Sequence, residues 1–192
     1  MIELILASSS SARKALMERL NTPFKCYSPN IDEIPLPDET HTQYVLRLSE
    51  EKAVAIGVKH PNALTIGSDA IASLNGKILG KPLDHETAVS QLTEMSGQTV
   101  HFLTGVCVYH GATQQVLTDI VLTKVTFRTL SPERIEYYLK TAKPYGSAGS
   151  LHSEGLGILL MERWEGDDPT ALMGLPMIRL TEYLETMGFE FG

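Results

Sequence analysis

The chain begins with a short apolar run from Ile2 to Ala7, four consecutive serines (Ser8 to Ser11), and a helical pattern to Leu20 with Ala15, Leu16 and Leu20 on one face. A buried strand that hands over directly to an amphipathic helix is the unit from which α/β sheets are built. Pro29, Pro35 and Pro37 punctuate a loop-like stretch from Pro23 to Pro37, and a second helix is predicted over about Glu39 to Val58, capped by Asp38 or Thr40. Ala63 to Ser68 is another short apolar strand. Asn75-Gly76 between AIASL and KILGK is a strong local hairpin signal.

Later segments mix the two patterns. Asp84 can cap a helix through Met95 that stops at Gly97. Thr99 to Tyr109 and Gln115 to Thr129 read as long antiparallel strands joined at His110-Gly111. Ser131-Pro132-Glu133 opens a helix that ends before Pro144. A Gly-rich stretch then leads to a predicted strand at Ile158 to Met161, and a final helix runs from about Pro176 to Met187. Strand–helix units together with long hairpins imply an α/β fold with a mixed sheet and flanking helices. The 192 residues fit one large domain or two small lobes and suffice for a real core.

Charge narrows the function classes. With 16 Lys+Arg against 23 Asp+Glu the net charge is −7, which disfavours a nucleic-acid polymer or an anionic membrane as partner. No apolar stretch approaches the roughly 18–20 residues that span a bilayer, and the first residues lack a basic leader. Cys26 and Cys107 stand alone, outside any CxxC or Cys/His grouping, and read as free thiols of a cytoplasmic protein. An anionic ligand therefore needs a local answer, from a few cations or a metal.

Four features supply candidates. Ser8 to Ser11 followed by Arg13 and Lys14 places hydroxyls and backbone N–H groups at a helix start, an anion site. The macrodipole disfavours cations there, a conflict that a bound phosphate removes; a serine N-cap beside solvated basic residues is the other reading. Lys52 falls in the apolar stripe of Val45, Leu48, Ala55 and Ile56, so it either snorkels or points into a cleft. Asp69 ends the strand ALTIGS, where α/β proteins place ligands and where a carboxylate can hold a divalent ion or take a proton from water. A turn-capping Asp is the alternative. Glu33, beside Asp32, offers a second carboxylate or is simply solvated. Gly80-Lys81-Pro82 adds a lysine at a turn, without the spacing of a phosphate-binding Walker motif. The six histidines are scattered and suggest no role. Three cations, Arg13, Lys52 and Lys81, and two carboxylates, Asp69 and Glu33, form the combination that phosphoryl chemistry needs.

In this order the segments LILASSSSARKALMERL, IDE, LSEEKA, IGSDAI, GKPL, MSGQTVHFLTGV, FRTLSPERIEYYL and AGSLHSEGLGILLMERWEGDDPTALMGLP resemble the Maf family of nucleoside triphosphate pyrophosphatases along nearly the whole chain. The resemblance implies one Maf-like domain over residues 1–192, with a fold like that of inosine triphosphate pyrophosphatases: an elongated mixed sheet and two lobes around a cleft. It implies hydrolysis of a nucleoside triphosphate to the monophosphate and pyrophosphate with a divalent metal, Mg²⁺ or Mn²⁺. By motif, Asp69 is the implied proton acceptor, Arg13, Lys52 and Lys81 the triphosphate ligands, Ser8 part of the phosphate loop, and Glu33, with Asp69, a metal- or water-associated carboxylate. A homodimer is implied by the resemblance alone.

The stretch SEGLGILLMERWEGDDPTALMGLP resembles the branch acting on 7-methyl-GTP. Glu154 stands where the dTTP/UTP branch has Gln; a carboxylate accepts hydrogen bonds from guanine N1–H and N2–H₂ and favours a cationic methylated ring. Three positions depart from that branch: Ser10-Ser11 replaces Ser-Pro, Ala12 replaces Trp, and Ala70 replaces Gln. Two small residues at base-reading positions enlarge the pocket. Hydrolysis of dTTP, UTP or another nucleotide, and a nucleotide-binding role in regulating septum formation, are the competing readings.

Overall fold

A computed structural model describes residues 2–192. Among the described residues seven strands form one mixed sheet, and five α-helices accompany them. In chain order these are β1 (Glu3–Leu6), α1 (Ser11–Glu18), β2 (Phe24–Cys26), α2 (His41–Gly57), β3 (Ala63–Leu74), β4 (Lys77–Leu79), α3 (His85–Met95), β5 (Thr99–His110), β6 (Gln115–Phe127), α4 (Pro132–Ala142), β7 (Met161–Gly166) and α5 (Met177–Thr186). The sheet order is β2-β1-β3-β5-β6-β7, with β4 added on β3. β1 pairs in parallel with both β2 and β3, whereas β4 on β3 and β7 on β6 are antiparallel. The expected α/β class with a mixed sheet is the observed one.

Helix starts follow their local chemistry. Ser10, Asp84 and Ser131 accept the N–H of Arg13, Thr87 and Arg134. Thr40, not Asp38, caps α2, in a reciprocal capping box with Gln43. Pro132 opens α4, where its missing N–H costs nothing. Asn75 (φ 50°) and Gly76 (φ 80°) make the tight turn into β4.

Three expectations are corrected. The stretch read as loop from Pro23 to Pro37 contains β2, a three-residue strand too short for a periodic signal. Ala63 to Ser68 and AIASL are one continuous twelve-residue strand. The strand predicted at Ile158 to Met161 is a 3₁₀ turn over Leu156–Leu160, and β7 starts at Met161. Gly157 causes the last change: its N–H donates to the His152 carbonyl at 3.1 Å and winds this segment before it can extend.

The chain divides into two compact units. The first holds the residues up to Asp69, Thr104–Val121 and Asp168–Gly192; the second holds Ala70–Leu103 and Leu122–Asp167. In the first unit Leu4 and Leu6 of β1, Leu16 and Met17 of α1, Leu64 and Ile66 of β3, Val106 and Val108 of β5, and Leu180 and Leu184 of α5 form one buried cluster. In the second, α4 is anchored by fully buried Tyr138, whose hydroxyl donates to the Ser150 carbonyl and accepts the His152 N–H, both at 2.9 Å. Both cysteines are free, Cys26 exposed and Cys107 buried. Among the described residues no helix is long and apolar enough to cross a membrane.

Candidate active site

β1 ends at Leu6, paired with Ile66, while its neighbour β3 runs on past Ser68 and Asp69. Because β2 lies on one side of β1 and β3 on the other, the chain leaves β1 where strand order reverses, the place at which open α/β sheets bind ligands. Ser8 follows at that strand end, buried, and its Oγ accepts the Ser10 N–H at 3.1 Å. Ser10 in turn caps α1, whose first turn carries half-buried Ala12 and Arg13.

Helix α2 approaches β3 and β5 unusually closely because glycines face it. A Cβ on Gly67 would collide with the Ser49 carbonyl and stand 2.6 Å from the Ala53 nitrogen; one on Gly105 would stand 2.9 Å from Val45 Cγ1. This proximity lets Lys52, buried at 6% exposure, reach the sheet directly. Its Nζ lies 2.6 Å from Asp69 Oδ1 and 2.8 Å from Glu33 Oε1. Of the two readings of Lys52, snorkelling is excluded: it is an ion-pair centre within the helix's buried face. Ser49, one turn earlier on α2, accepts the Asp69 N–H at 2.9 Å and donates to the Val45 carbonyl at 2.7 Å, which fixes the backbone under Asp69.

Glu33 reaches Lys52 from an exposed loop that α2 ties down. The Arg47 guanidinium grips Glu39 with both arms, at 2.6 and 2.8 Å, and also donates to the Ile34 carbonyl. Tyr44 Oη donates to the Glu33 carbonyl at 2.8 Å. Arg47 holds the Glu39 carboxyl down at a pKa of about 2. The Tyr44 phenol is pushed up, first by burial and then by the charges of Asp69 and Glu33.

Arg13 completes the group. Its Nε–H donates to the Gly174 carbonyl at 2.7 Å, and Ser68 Oγ donates to the same oxygen at 2.8 Å. Burial lowers the Arg13 pKa from its ordinary value, while the charges of Asp69 and Glu33 oppose that shift. The structure thus brings together Ser8, Arg13, Glu33, Lys52 and Asp69 in the first unit. Lys81, Ala70 and Glu154 belong to the second unit. Lys81 is exposed after Gly80, whose carbonyl accepts from Gly149 N–H and Gln91 Nε2; Ala70 is half-buried on β3; Glu154 Oε1 lies 3.0 Å from His152 Nε2.

Sequence reasoning missed Ser49, Ser68, Tyr44 and the Gly174 carbonyl. Ser49 carried a signal: Val45, Ser49, Lys52 and Ile56 share one helical face, so two polar groups lie in a buried stripe. Two carboxylates converging on one ammonium are also the hard-oxygen donors that Mg²⁺ and Mn²⁺ take. Among the described residues no set of three or more His, Cys, Asp or Glu side chains could hold a metal alone. Glu33 and Asp69 fit such an ion when substrate oxygens and water fill its remaining positions, the usual arrangement for Mg²⁺.

The family model for "Maf-like protein" matches residues 3–187. A protein of Nitrosococcus oceani named "7-methyl-GTP pyrophosphatase" is 50% identical, covering 97% of this chain and 94% of its own. Proteins of the same name from Ralstonia nicotianae and Methylobacillus flagellatus are 50% and 49% identical, each covering 97% of this chain, and 96% and 97% of their own lengths. The solved Staphylococcus aureus Ham1 protein gives a TM-score of 0.45 at 15% identity over 66% of this chain and 72% of that one. With the matched segment enclosing every candidate residue from Ser8 to Glu154 and half of all positions shared with such relatives, the chain belongs to the Maf-like protein family.

Proposed function

We propose that this protein hydrolyses 7-methyl-GTP to 7-methyl-GMP and pyrophosphate. The names of the relatives support the substrate, and one structural observation carries the chemistry: Lys52 bridges Asp69 and Glu33 at 2.6 and 2.8 Å at the strand end beside Arg13. Two carboxylates against two cations leave that group formally neutral. A triphosphate brings several negative charges more, so binding it draws on a divalent cation that Glu33 and Asp69 would hold. When bound, that cation neutralises phosphate charge as a Lewis acid.

In the reaction, water oxygen bonds to the α-phosphorus as the bond from that phosphorus to the bridging oxygen breaks, and pyrophosphate departs with the bond's electrons. Asp69 takes the proton of the attacking water. Ser49 holds the Asp69 backbone from α2, and Ser68, its neighbour on β3, is tied to the Gly174 carbonyl. Arg13, Lys52 and Lys81 bind the phosphate oxygens, and the Ser8 to Ser11 turn contributes N–H groups at the α1 N-terminus. Glu154 reads the guanine edge; Ala12 and Ala70 leave room around the base.

The test is pyrophosphate release by the full chain with Mg²⁺ or Mn²⁺ on a panel of 7-methyl-GTP, GTP, dTTP, UTP and CTP. The expected result is the highest kcat/KM on 7-methyl-GTP. Preference for dTTP or UTP would overturn the substrate, and no release from any member would overturn the activity in favour of a binding role.

A further inference from the structure

The segment from Asp168 to Pro176 has no side chain in the chemistry described above, yet it is built with care around one carbonyl. Asp168 is 2% exposed. Its Oδ1 accepts from Thr170 N at 2.7 Å and from Thr170 Oγ1 at 2.6 Å, and its Oδ2 accepts the Ile178 N–H at 2.8 Å, at the start of α5. Thr170 Oγ1 accepts the Met177 N–H at 2.9 Å. From the sheet, buried Thr104 donates to the Ala171 carbonyl at 2.9 Å. The segment is thereby fixed at both ends, and between them Gly174 adopts φ +101°, a conformation that other residues rarely tolerate. That conformation belongs to the peptide carbonyl that accepts both Arg13 Nε–H and Ser68 Oγ–H.

Arg13 needs such an anchor. It is a half-buried cation in the first turn of α1, where the helix dipole opposes it. Its guanidinium donates Nε–H to the Gly174 carbonyl at 2.7 Å. A guanidinium is a rigid plane, so fixing Nε fixes the direction of the two terminal nitrogens, whose N–H groups are the donors that a phosphate takes. Ser68 precedes Asp69 on β3 and shares the acceptor, so a single oxygen sets where the cation stands relative to the carboxylate.

We propose that residues 168–176 are the positioning element of Arg13: the Gly174 carbonyl, held by Asp168 and Thr170, aims the guanidinium at the substrate's phosphates. The role rests on the reading of Arg13 as a phosphate ligand. Gly174 and Asp168 are positioning residues, acting through Arg13 without touching substrate.

Gly174→Ala tests this cleanly. Its Cβ would stand 3.5 Å from Arg13 Nε, an ordinary contact, so the substitution acts by straining φ and turning the carbonyl. With the full chain and 7-methyl-GTP, kcat/KM falls about tenfold to a hundredfold. In an Arg13→Ala background the same change has less than about a twofold effect, because the group it acts through is gone. Asp168→Asn, which leaves Gly174 itself intact, follows the same pattern, and circular dichroism verifies that each variant is folded. Calorimetric binding of inorganic triphosphate gives a second readout without turnover: Gly174→Ala weakens it only when Arg13 is present.

Equal losses with and without Arg13 would overturn the positioning role and leave the phosphate reading standing. Full turnover and undiminished triphosphate binding by Arg13→Ala would overturn both.

Discussion

Lys52 Nζ and Asp69 Oδ1 stand 2.6 Å apart, with side chains only 8% and 12% exposed, at the point where α2 presses against the glycine of β3. The pair is a charge lock between a helix and a strand, and Glu33 joins it from a loop. Removing one partner leaves the other charge buried. Lys52→Met is expected to destabilise the fold by about 3 kcal/mol and to abolish turnover. Asp69→Asn keeps the shape and a hydrogen-bond acceptor for Lys52 but cannot take a proton, so it is expected to retain most of the stability and lose turnover by at least about a hundredfold. Urea titration and pyrophosphate release on the same samples separate the two effects. An active Asp69→Asn would remove Asp69 from the role of base.

Closeness of α2 to the sheet is the precondition of that lock. Gly67→Ala would drive a Cβ into backbone atoms of Ser49 and Ala53, which cannot give way as a flexible side-chain tip can. The helix must move off, with a cost expected at about 3 kcal/mol or more, and Lys52 moves with it. Gly146→Ala is the control, since its Cβ meets nothing within 4 Å. Thermal melts should show a marked drop in Tm for the first and little change for the second.

This also explains what could be read from the chain beforehand. Helix starts at Ser10, Thr40, Asp84 and Ser131 and the Asn75-Gly76 turn are decided by residues a few positions apart, so their patterns are visible in order. Asp69 and the cations were legible as residue types at strand and helix ends. The 2.6 Å pairing with Lys52 was not, because it depends on glycines 67 and 105 admitting the helix. The Gly174 carbonyl was invisible for a different reason: a backbone oxygen carries no side-chain signature, and only φ +101° marks it. β2 escaped because three residues pairing along one strand show no period.

The loop bearing Glu33 is held by Arg47 on Glu39, and acid should release it. Glu39 has its pKa lowered from 4.5 to about 2, so its contribution to stability is complete above 4.5 and disappears as pH falls through about 2. Between those limits the wild type should lose stability on acidification more steeply than Glu39→Gln, which has no carboxylate to protonate. Urea midpoints at about pH 5 and about pH 3 give the comparison. Parallel slopes for the two proteins would show that the Arg47 contact does not govern this range.

Under the proposed function, substrate choice is expected to turn on Glu154. Its Oε1 is engaged by His152 Nε2 at 3.0 Å and its Oε2 faces Ser153 Oγ at 3.3 Å, so the carboxylate is oriented rather than free. A guanine edge offers two N–H donors that a carboxylate accepts together, and methylation at N7 adds a positive charge that the carboxylate attracts. Glu154→Gln keeps the size, replaces one acceptor by a donor and removes the charge. An N–H facing an N–H leaves both unsatisfied, a mismatch of about 1–3 kcal/mol, so kcat/KM on 7-methyl-GTP should fall roughly tenfold or more. A pyrimidine triphosphate makes no such pair of contacts and its rate should change little. Because Asp69, Lys52 and Arg13 remain, hydrolysis itself persists. Competition assays with 7-methyl-GTP and UTP in one reaction measure the ratio directly, and an unchanged ratio in Glu154→Gln would move base recognition elsewhere in the chain.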